Sequence, residues 1–140
     1  MRVLFDTDVV LDLVLDRQPF VLVAAELFEL HEQGRIDIFV SAITPINVFY
    51  ITRKNKGLDK ARRAIDELLS SVMVCPIDQP ILVKAQKTAF KDFEDSVQHT
   101  CAAESGLDAI VTRNLDDYEH ATLPVFSPPD FLNKLQTESK

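Results

Sequence analysis

Residues 1–8 read Met1-Arg2-Val3-Leu4-Phe5-Asp6-Thr7-Asp8. Their apolar run at residues 3–5 is typical of a strand that is buried on both faces of a parallel sheet. The run ends at acidic residues, and an apolar pattern with helical spacing follows. Because open α/β sheets bind ligands at the carboxyl ends of their strands, Asp6 is a candidate metal ligand or nucleophile. The structural alternative is that Thr7 or Asp8 caps the following helix.

Four further apolar runs continue this pattern and predict four more strands, at residues 36–40, 72–74, 109–111 and 124–126. Amphipathic patterns between them predict helices at residues 9–15, 20–33, 44–55, 58–70, 79–90 and 93–105, with a last helix opening at 127–130. Strands that alternate with helices favour a parallel sheet with right-handed crossovers. We therefore expect a single α/β domain over residues 1–140, a three-layer α/β/α sandwich with strands two and three on one side of strand one and strands four and five on the other.

Local signals give finer expectations for the helices. Gly34 and Gly106 are placed to end two of them, and Pro80 suits a first turn. Ser41 or Thr44 is expected to cap the third helix, which should turn its inward face to the core through a set of large side chains: Ile46, Phe49 and Tyr50.

The charge balance bears on the class of partner. The net charge of −7 argues against nucleic acid, whose phosphates it would repel. Residues 53–63 nevertheless carry six basic side chains and one acid, which could be a phosphate-contacting patch or a solvated helix face. The sequence has neither an apolar run long enough to span a bilayer nor a signal peptide, so we expect no membrane association and a cytoplasmic protein. Cys75 and Cys101 lack a metal-binding spacing and are expected to be reduced, buried thiols.

Acidic side chains should converge at one edge of the sheet. The predicted layout places the loop after residues 3–5 opposite the loop after residues 109–111, and these loops carry Asp6–Asp8 and Asn114–Asp117. A third cluster, Asp92–Asp95, starts the helix before strand four, where Asp92 is also a candidate helix cap. Carboxylates that share a pocket raise one another's pKa unless a cation neutralises them. Oxygen ligands without nearby Cys or His favour Mg²⁺ or Mn²⁺ over Zn²⁺.

Four segments carry a resemblance to a known family. They cover nearly the whole chain in order and read Leu4-Phe5-Asp6-Thr7-Asp8 with Asp12 behind it, Ser41-Ala42-Ile43-Thr44-Pro45-Ile46-Asn47, Asp92-Phe93-Glu94-Asp95-Ser96-Val97-Gln98, and Ile110-Val111-Thr112-Arg113-Asn114-Leu115-Asp116-Asp117-Tyr118. With these segments the sequence resembles PIN-domain proteins and is similar to the VapC-type toxin ribonucleases of bacterial toxin–antitoxin pairs.

The resemblance implies a sheet of order 3-2-1-4-5 and a Mg²⁺- or Mn²⁺-dependent endoribonuclease that acts as a toxin. Carried over residue by residue, it makes Asp6, Asp95 and Asp117 the metal-binding and catalytic acids. It also implies that Asn114 lines the site, that Thr7 orients Asp6 or a bound water, and that the protein is a homodimer with an antitoxin partner. In such a mechanism, Arg113 or the basic residues 53–63 would hold RNA phosphates.

The sequence departs from the family pattern at two positions. Asp8 stands where the family usually has Asn or Ser, and Asn47 stands where many members have a Glu. Because Asn brings no charge, metal affinity should fall, although Glu94 could compensate from the facing helix.

Two alternatives remain open at this point. Asp6-Thr7-Asp8-Val9-Val10 fits the DxDx(T/V) pattern of haloacid-dehalogenase-like phosphatases, in which Asp6 would be the nucleophile and Asp8 the general acid. That family also needs a lysine before its last acidic pair, and this chain offers Arg113 there. The second alternative is a degenerate PIN-like module that binds a protein without cleaving RNA, which the missing Glu and the acidic composition favour.

Overall fold

The protein is described by a computed structural model over residues 1–138, so the last two residues of the predicted domain lie outside the described part. Five strands form one parallel sheet in the order β3-β2-β1-β4-β5, which confirms the predicted topology. Their bounds are Arg2–Phe5 (β1), Asp37–Ser41 (β2), Met73–Cys75 (β3), Ala109–Val111 (β4) and Val125–Phe126 (β5).

Helices connect these strands and cover both faces of the sheet. Their bounds are Thr7–Val14 (α1), Val21–Glu32 (α2), Ile43–Lys56 (α3), Leu58–Ser71 (α4), Gln79–Gln86 (α5), Phe93–Glu104 (α6) and Pro128–Glu138 (α7), with a 3-10 turn at Leu115–Tyr118. No helix in the described range is long and apolar enough to cross a membrane.

Strand β1 divides the core in two because successive side chains of a strand point to opposite faces. Val3 and Phe5 pack into a cluster with residues of α1, α2, α3, α4 and α7. Leu4 packs into the other cluster, with Cys101 of α6 and Tyr118. All three side chains of residues 3–5 are fully buried. The central strand is therefore buried on both faces, as its uninterrupted apolar run predicts.

Several local predictions are confirmed. Gly34 and Gly106 follow the ends of α2 and α6 with φ of +75° and +69°, a conformation that favours glycine. Asp92 caps α6 through its Oδ1, which accepts a hydrogen bond from the Asp95 backbone N–H at 2.9 Å. Cys75 and Cys101 are both free and buried.

Two capping predictions are wrong. Helix α1 is capped by Asp6 rather than by Thr7 or Asp8, because Asp6 keeps extended backbone angles and its side chain accepts the Thr7 backbone N–H. Helix α3 begins after Ala42, which has helical angles, and has no side-chain cap. The hydroxyls of Ser41 and Thr44 bind elsewhere, as described below.

The predicted inward face of α3 is also wrong. Ile46 and Tyr50 are 60% and 62% exposed, and Phe49 is half-buried. The buried positions are Thr44, Val48 and Thr52, spaced by four residues. Here the smaller side chains face the core, because α3 packs closely against α4 and α1. In addition, α5 ends at Gln86, four residues before the predicted end.

Candidate active site

The site begins where β1 ends beside β4. The Asp6 backbone N–H donates to the Val111 carbonyl oxygen at 3.0 Å, which continues the pairing of the two strands by one residue. Asp6 therefore lies next to Thr112, whose Oγ1 donates to Asp6 Oδ2 at 2.7 Å. The other carboxylate oxygen, Oδ1, accepts from the Thr7 backbone N–H at 2.7 Å and from Gln98 Nε2 at 3.0 Å.

Asp6 is only 6% exposed. Burial raises the pKa of its carboxyl, and the hydrogen bonds from Thr112, Gln98 and Thr7 oppose that rise because they stabilise the ionised form. The donors thus offset part of the cost of an anion at the end of a buried strand.

Helix α6 brings the second acid, Asp95, to the same edge. Because Asp92 caps this helix, Asp95 lies in the first turn, where the helix dipole favours negative charge. Burial, followed by repulsion from the carboxylates of Asp6, Asp92, Asp117 and Glu94, nevertheless raises the pKa of Asp95 to about 7. The acids are close enough for each to disfavour ionisation of Asp95.

The 3-10 turn supplies the third acid. Asp117 is exposed, and its backbone N–H donates to the Asn114 carbonyl oxygen at 3.1 Å. The next residue, Tyr118, is 2% exposed, and its hydroxyl lies 3.5 Å from Asp95 Oδ1 and 3.3 Å from Gln98 Nε2. Burial, and then repulsion from Asp6 and Asp95, raises the pKa of this hydroxyl. Asp95 thus contacts this hydroxyl, and the charges of Asp6 and Asp117 also act on it, at the carboxyl edge of β1 and β4.

The predicted supporting residues lie around these acids. Asn47 Nδ2 donates to Glu94 Oε1 at 2.8 Å, so that these two side chains join α3 to α6. Asn114 Nδ2 donates to Asp8 Oδ2 at 2.8 Å and thereby links the loop after β4 to the first turn of α1. The Thr7 hydroxyl lies 2.9 Å from that of Thr44, so Asp6 receives the backbone N–H of Thr7 rather than its hydroxyl.

Arg113 is engaged away from the acids described so far. Its Nε and one terminal nitrogen donate to the two carboxylate oxygens of Asp12 at 2.8 and 3.1 Å, in a bidentate pair. Its guanidinium carbon lies 4.0 Å from the centre of the Phe20 ring. Asp12 is 1% exposed, so the pair compensates a buried charge. The predicted role of Arg113 in phosphate binding stays a prediction.

Three residues that bind these acids directly were not predicted as site residues: Thr112, Gln98 and Tyr118. Thr112 and Gln98 donate hydrogen bonds to Asp6, and the Tyr118 hydroxyl contacts Asp95. Signals in the sequence could have identified two of the three. Thr112 immediately follows an apolar strand, and Gln98 lies three residues after Asp95, on the same face of a helix.

The PIN resemblance implies a divalent metal ion, and the side chains at this edge of the sheet are of the types that bind one. They are carboxylates and amides, whose oxygen atoms are the ligands that Mg²⁺ and Mn²⁺ prefer. The raised pKa of Asp95 also reflects negative charge that a cation would neutralise. Within residues 1–138, however, no three Asp, Glu, His or Cys side chains already stand in an arrangement that could hold a metal ion. The ligand types fit, and the coordination shell is not assembled.

Comparison with protein families gives one match. The model of the PIN domain matches residues 2–116, which is most of the chain. The chain belongs to the PIN-domain family. The match contains the β1–α1 segment, α3, α6 and the loop after β4, so every acid discussed above except Asp117 lies within it. Comparison with curated protein sequences gives no match.

Solved structures of the same fold include several toxin–antitoxin proteins. A toxin–antitoxin complex from Klebsiella pneumoniae shares 24% identity at a TM-score of 0.66, over 90% of this chain and 97% of that chain. A DNA-bound VapBC from Salmonella typhimurium shares 17% identity at a TM-score of 0.69, over 91% and 98%. Mycobacterium tuberculosis VapC20, a sarcin-ricin loop cleaving toxin, shares 13% at 0.62, over 77% and 86%. At these identities the likeness shows that this PIN domain has the fold of those proteins.

Proposed function

We propose that this PIN domain is a divalent-metal-dependent endoribonuclease that hydrolyses RNA phosphodiesters. The observation that carries the proposal is that Asp6, Asp95 and Asp117, from three separate segments, lie close enough for the charges of Asp6 and Asp117 to raise the pKa of Asp95. Hydrogen bonds through Gln98 and Tyr118 also link Asp6 to Asp95. The family supports a nuclease, and one structural neighbour is a toxin that cleaves the sarcin-ricin loop.

In this proposal Asp6, Asp95 and Asp117 hold the cation, with Glu94, Asn47 and Asn114 at the margin of the site. Bound there, Mg²⁺ or Mn²⁺ supplies a nucleophile at neutral pH and offsets the charge of the phosphodiester. The hydrogen bonds from Thr7, Gln98 and Thr112 favour the ionised form of Asp6, and a bound cation would favour the ionised form of Asp95, whose pKa burial and neighbouring carboxylates raise to about 7. Water adds to phosphorus, one P–O ester bond breaks, and the products are a phosphate monoester and a hydroxyl.

The acidic composition restricts how RNA could bind. Because the chain carries a net charge of −7, phosphates must be held by the cation and by local basic groups. Residues 53–63, at the junction of α3 and α4, carry six basic side chains. With Arg113 bound to Asp12, we assign the contacts with distant phosphates chiefly to this basic segment, and to Arg113 only through its solvent-facing edge.

The proposal is tested by incubating the purified protein with a structured, end-labelled RNA in Mn²⁺ and in excess chelator. Cleavage should require the metal and should be lost in Asp6→Asn, purified in parallel to detect contaminating ribonuclease. Asp66→Asn, an exposed acid on α4, is the matched control and should cleave like the wild type. Metal-dependent cleavage that survives Asp6→Asn would show that the mechanism is wrong.

The same assay decides the alternative of a binding module without nuclease activity. The observation that favours this alternative is the Asn47–Glu94 contact, which stands where the family pattern would supply a second carboxylate. A folded wild-type protein that binds Mn²⁺ but leaves RNA intact would support it. The dehalogenase-like phosphatase gains no support from the family match.

We further propose a toxin role with an antitoxin partner and a homodimeric state. The support is that structural neighbours are VapBC and toxin–antitoxin complexes. The open reading frame upstream should encode a small protein with a DNA-binding N-terminal segment. Co-expression of that product should yield a stable complex and suppress cleavage, and sedimentation should give twice the mass of the 15.8 kDa chain for the protein alone.

A further inference from the structure

The buried side-chain amide of Gln98 has four side-chain hydrogen-bond partners in the site, on four different segments of the chain. Gln98 is 1% exposed and lies one helical turn after Asp95 on α6. Its Nε2 donates to Asp6 Oδ1 at 3.0 Å and to the Tyr118 hydroxyl at 3.3 Å. Its Oε1 accepts from Ser41 Oγ at 3.1 Å and from Thr44 Oγ1 at 3.3 Å.

These four contacts determine which way the amide faces. A hydroxyl can donate to Oε1, whereas an ionised carboxylate can only accept and therefore requires the NH₂ end. The opposite orientation would place Oε1 against the oxygen of Asp6 and leave a repulsive contact in a buried place. Ser41 at the end of β2 and Thr44 in α3 thus aim the two N–H groups of Gln98 at Asp6 and Tyr118.

We propose that Gln98 is a positioning residue, which orients Asp6 and, through the Tyr118 hydroxyl, Asp95, the two acids that would bind the divalent cation. The inference rests on the proposed metal-dependent function. Tyr118 extends the reach of the amide, because its hydroxyl lies 3.5 Å from Asp95 Oδ1. The neutral side chain of Gln98 therefore contacts Asp6 directly and is linked to Asp95 through the Tyr118 hydroxyl.

A neutral donor suits this position for an electrostatic reason. Asp95 is already surrounded by the carboxylates of Asp6, Asp92, Asp117 and Glu94. A lysine in place of Gln98 would neutralise the site and compete with the cation, whereas an amide holds Asp6 without removing its charge. Partners of this kind, which bind metal ligands without touching the metal, typically change metal affinity by about 10- to 100-fold when they are replaced.

The test compares Gln98→Met, which keeps length and burial but has no donor, with Ser96→Ala on the same helix. Ser96 is equally buried, and its hydroxyl bonds to the Ala85 carbonyl oxygen and to Thr88, on the side of α5. Calorimetric titration with Mn²⁺ should show about tenfold weaker binding for Gln98→Met and unchanged binding for Ser96→Ala. The double variant Ser41→Ala/Thr44→Val, which keeps Gln98 but frees its amide, should lie between them.

A second measurement separates this inference from the proposed function. Crystal structures of the metal-free wild type and Gln98→Met should show that the Asp6 carboxylate rotates away in the variant. If the wild-type protein binds no Mn²⁺, the nuclease proposal is wrong, and so is the role of Gln98 in metal binding. The comparison of crystal structures would still show whether Gln98 holds the Asp6 carboxylate in place. An Asp6 carboxylate in the wild-type position in Gln98→Met, or equal loss of Mn²⁺ affinity in Ser96→Ala, would overturn the assignment.

Discussion

Asn47 donates a hydrogen bond from its side-chain amide to Glu94 Oε1 at 2.8 Å, and this bond joins α3 to α6 beside the acidic residues. The contact uses a donor of Asn47 and leaves its Oδ1 available to a cation, while Glu94 supplies the negative charge. Burial, followed by repulsion from Asp92 and Asp6, raises the pKa of Glu94, and the hydrogen bond from Asn47 opposes that rise. In the proposed site, Glu94 on α6 would thus supply the negative charge that Asn47 on α3 lacks.

We expect Asn47→Glu to strengthen Mn²⁺ binding by about tenfold, or about 1.4 kcal/mol, because it adds an anionic donor. Without metal the same variant should be less stable than the wild type, since two carboxylates would then face each other. Calorimetry and thermal unfolding measure the two effects. Asn55→Glu, in the last turn of the same helix, is the control and should change the Mn²⁺ affinity and the stability much less than Asn47→Glu does. Unchanged Mn²⁺ affinity in Asn47→Glu would place residue 47 outside the metal site.

Asp95 should make the stability of the metal-free protein depend on pH. Its pKa is raised from 3.8 to about 7, so between these values the folded chain holds a proton that the unfolded chain has released. Folding is then coupled to proton uptake, so protonation of Asp95 stabilises the folded chain at low pH. This stabilisation is lost as the pH rises toward about 7, and above that pH Asp95 causes no further change in stability.

Unfolding temperatures from pH 4 to pH 8 test this expectation through Asp95→Asn, which cannot ionise. The unfolding temperature of the variant should exceed that of the wild type by a difference that grows up to about pH 7 and is constant above it. Saturating Mn²⁺ should remove the advantage, because the wild type then binds the cation. Asp66→Asn should follow the wild type at every pH. Parallel curves for Asp95→Asn and the wild type would contradict the assigned pKa shift.

Arg113→Met should destabilise the fold by about 3 kcal/mol, because it leaves the buried carboxylate of Asp12 without its bidentate partner. Arg17, whose nitrogen lies 3.8 Å from Asp12 Oδ1, limits the loss. Urea unfolding measures it, and Lys134→Met, which removes one exposed pair with Glu138, should cost about 0.5 kcal/mol or less. If Arg113→Met kept its stability while RNA affinity fell, Arg113 would be a phosphate ligand rather than a structural partner.

Asp8→Asn separates the nuclease from a phosphatase that uses Asp8 as general acid. The side chain of Asp8 accepts a hydrogen bond from Asn114 Nδ2, and the carbonyl oxygen of an Asn could accept the same bond. We therefore expect the RNA cleavage rate to stay within about threefold, a change in barrier of under about 0.7 kcal/mol. Asp8→Leu, which cannot accept that bond, should show a larger loss. A complete loss of activity in Asp8→Asn would assign Asp8 a direct chemical role.

The sheet and the segments that carry the acids could be predicted from the sequence. Each strand contains a short apolar run, and right-handed crossovers leave few arrangements of five such strands. Once β1 and β4 are neighbours, Asp6 and the loop that begins at Thr112 must meet. Asp92 could likewise be assigned as a cap, because its function depends on residues three positions away.

The remaining features depend on contacts that no local pattern contains. The inward face of α3 was predicted from large apolar side chains, whereas close packing against α4 and α1 selects the smaller Thr44, Val48 and Thr52. Gln98 resembles any polar residue in a helix until Asp6, 92 positions earlier, is placed against it. The partner of Arg113 was similarly hidden, since Asp12 lies 101 positions away.

The pairing of β1 with β4 also determines when the site comes into existence during translation. Asp6 is synthesised 106 residues before Thr112, whose hydroxyl donates to its Oδ2. At about 5–20 residues per second, that interval lasts roughly 5–20 seconds. A nascent chain that has not yet formed β4 carries Asp6 without the Thr112 hydroxyl that binds its Oδ2. If the protein is the proposed ribonuclease, it would stay inactive on the messenger that encodes it until β4 and Thr112 have been synthesised and have paired with β1 and Asp6.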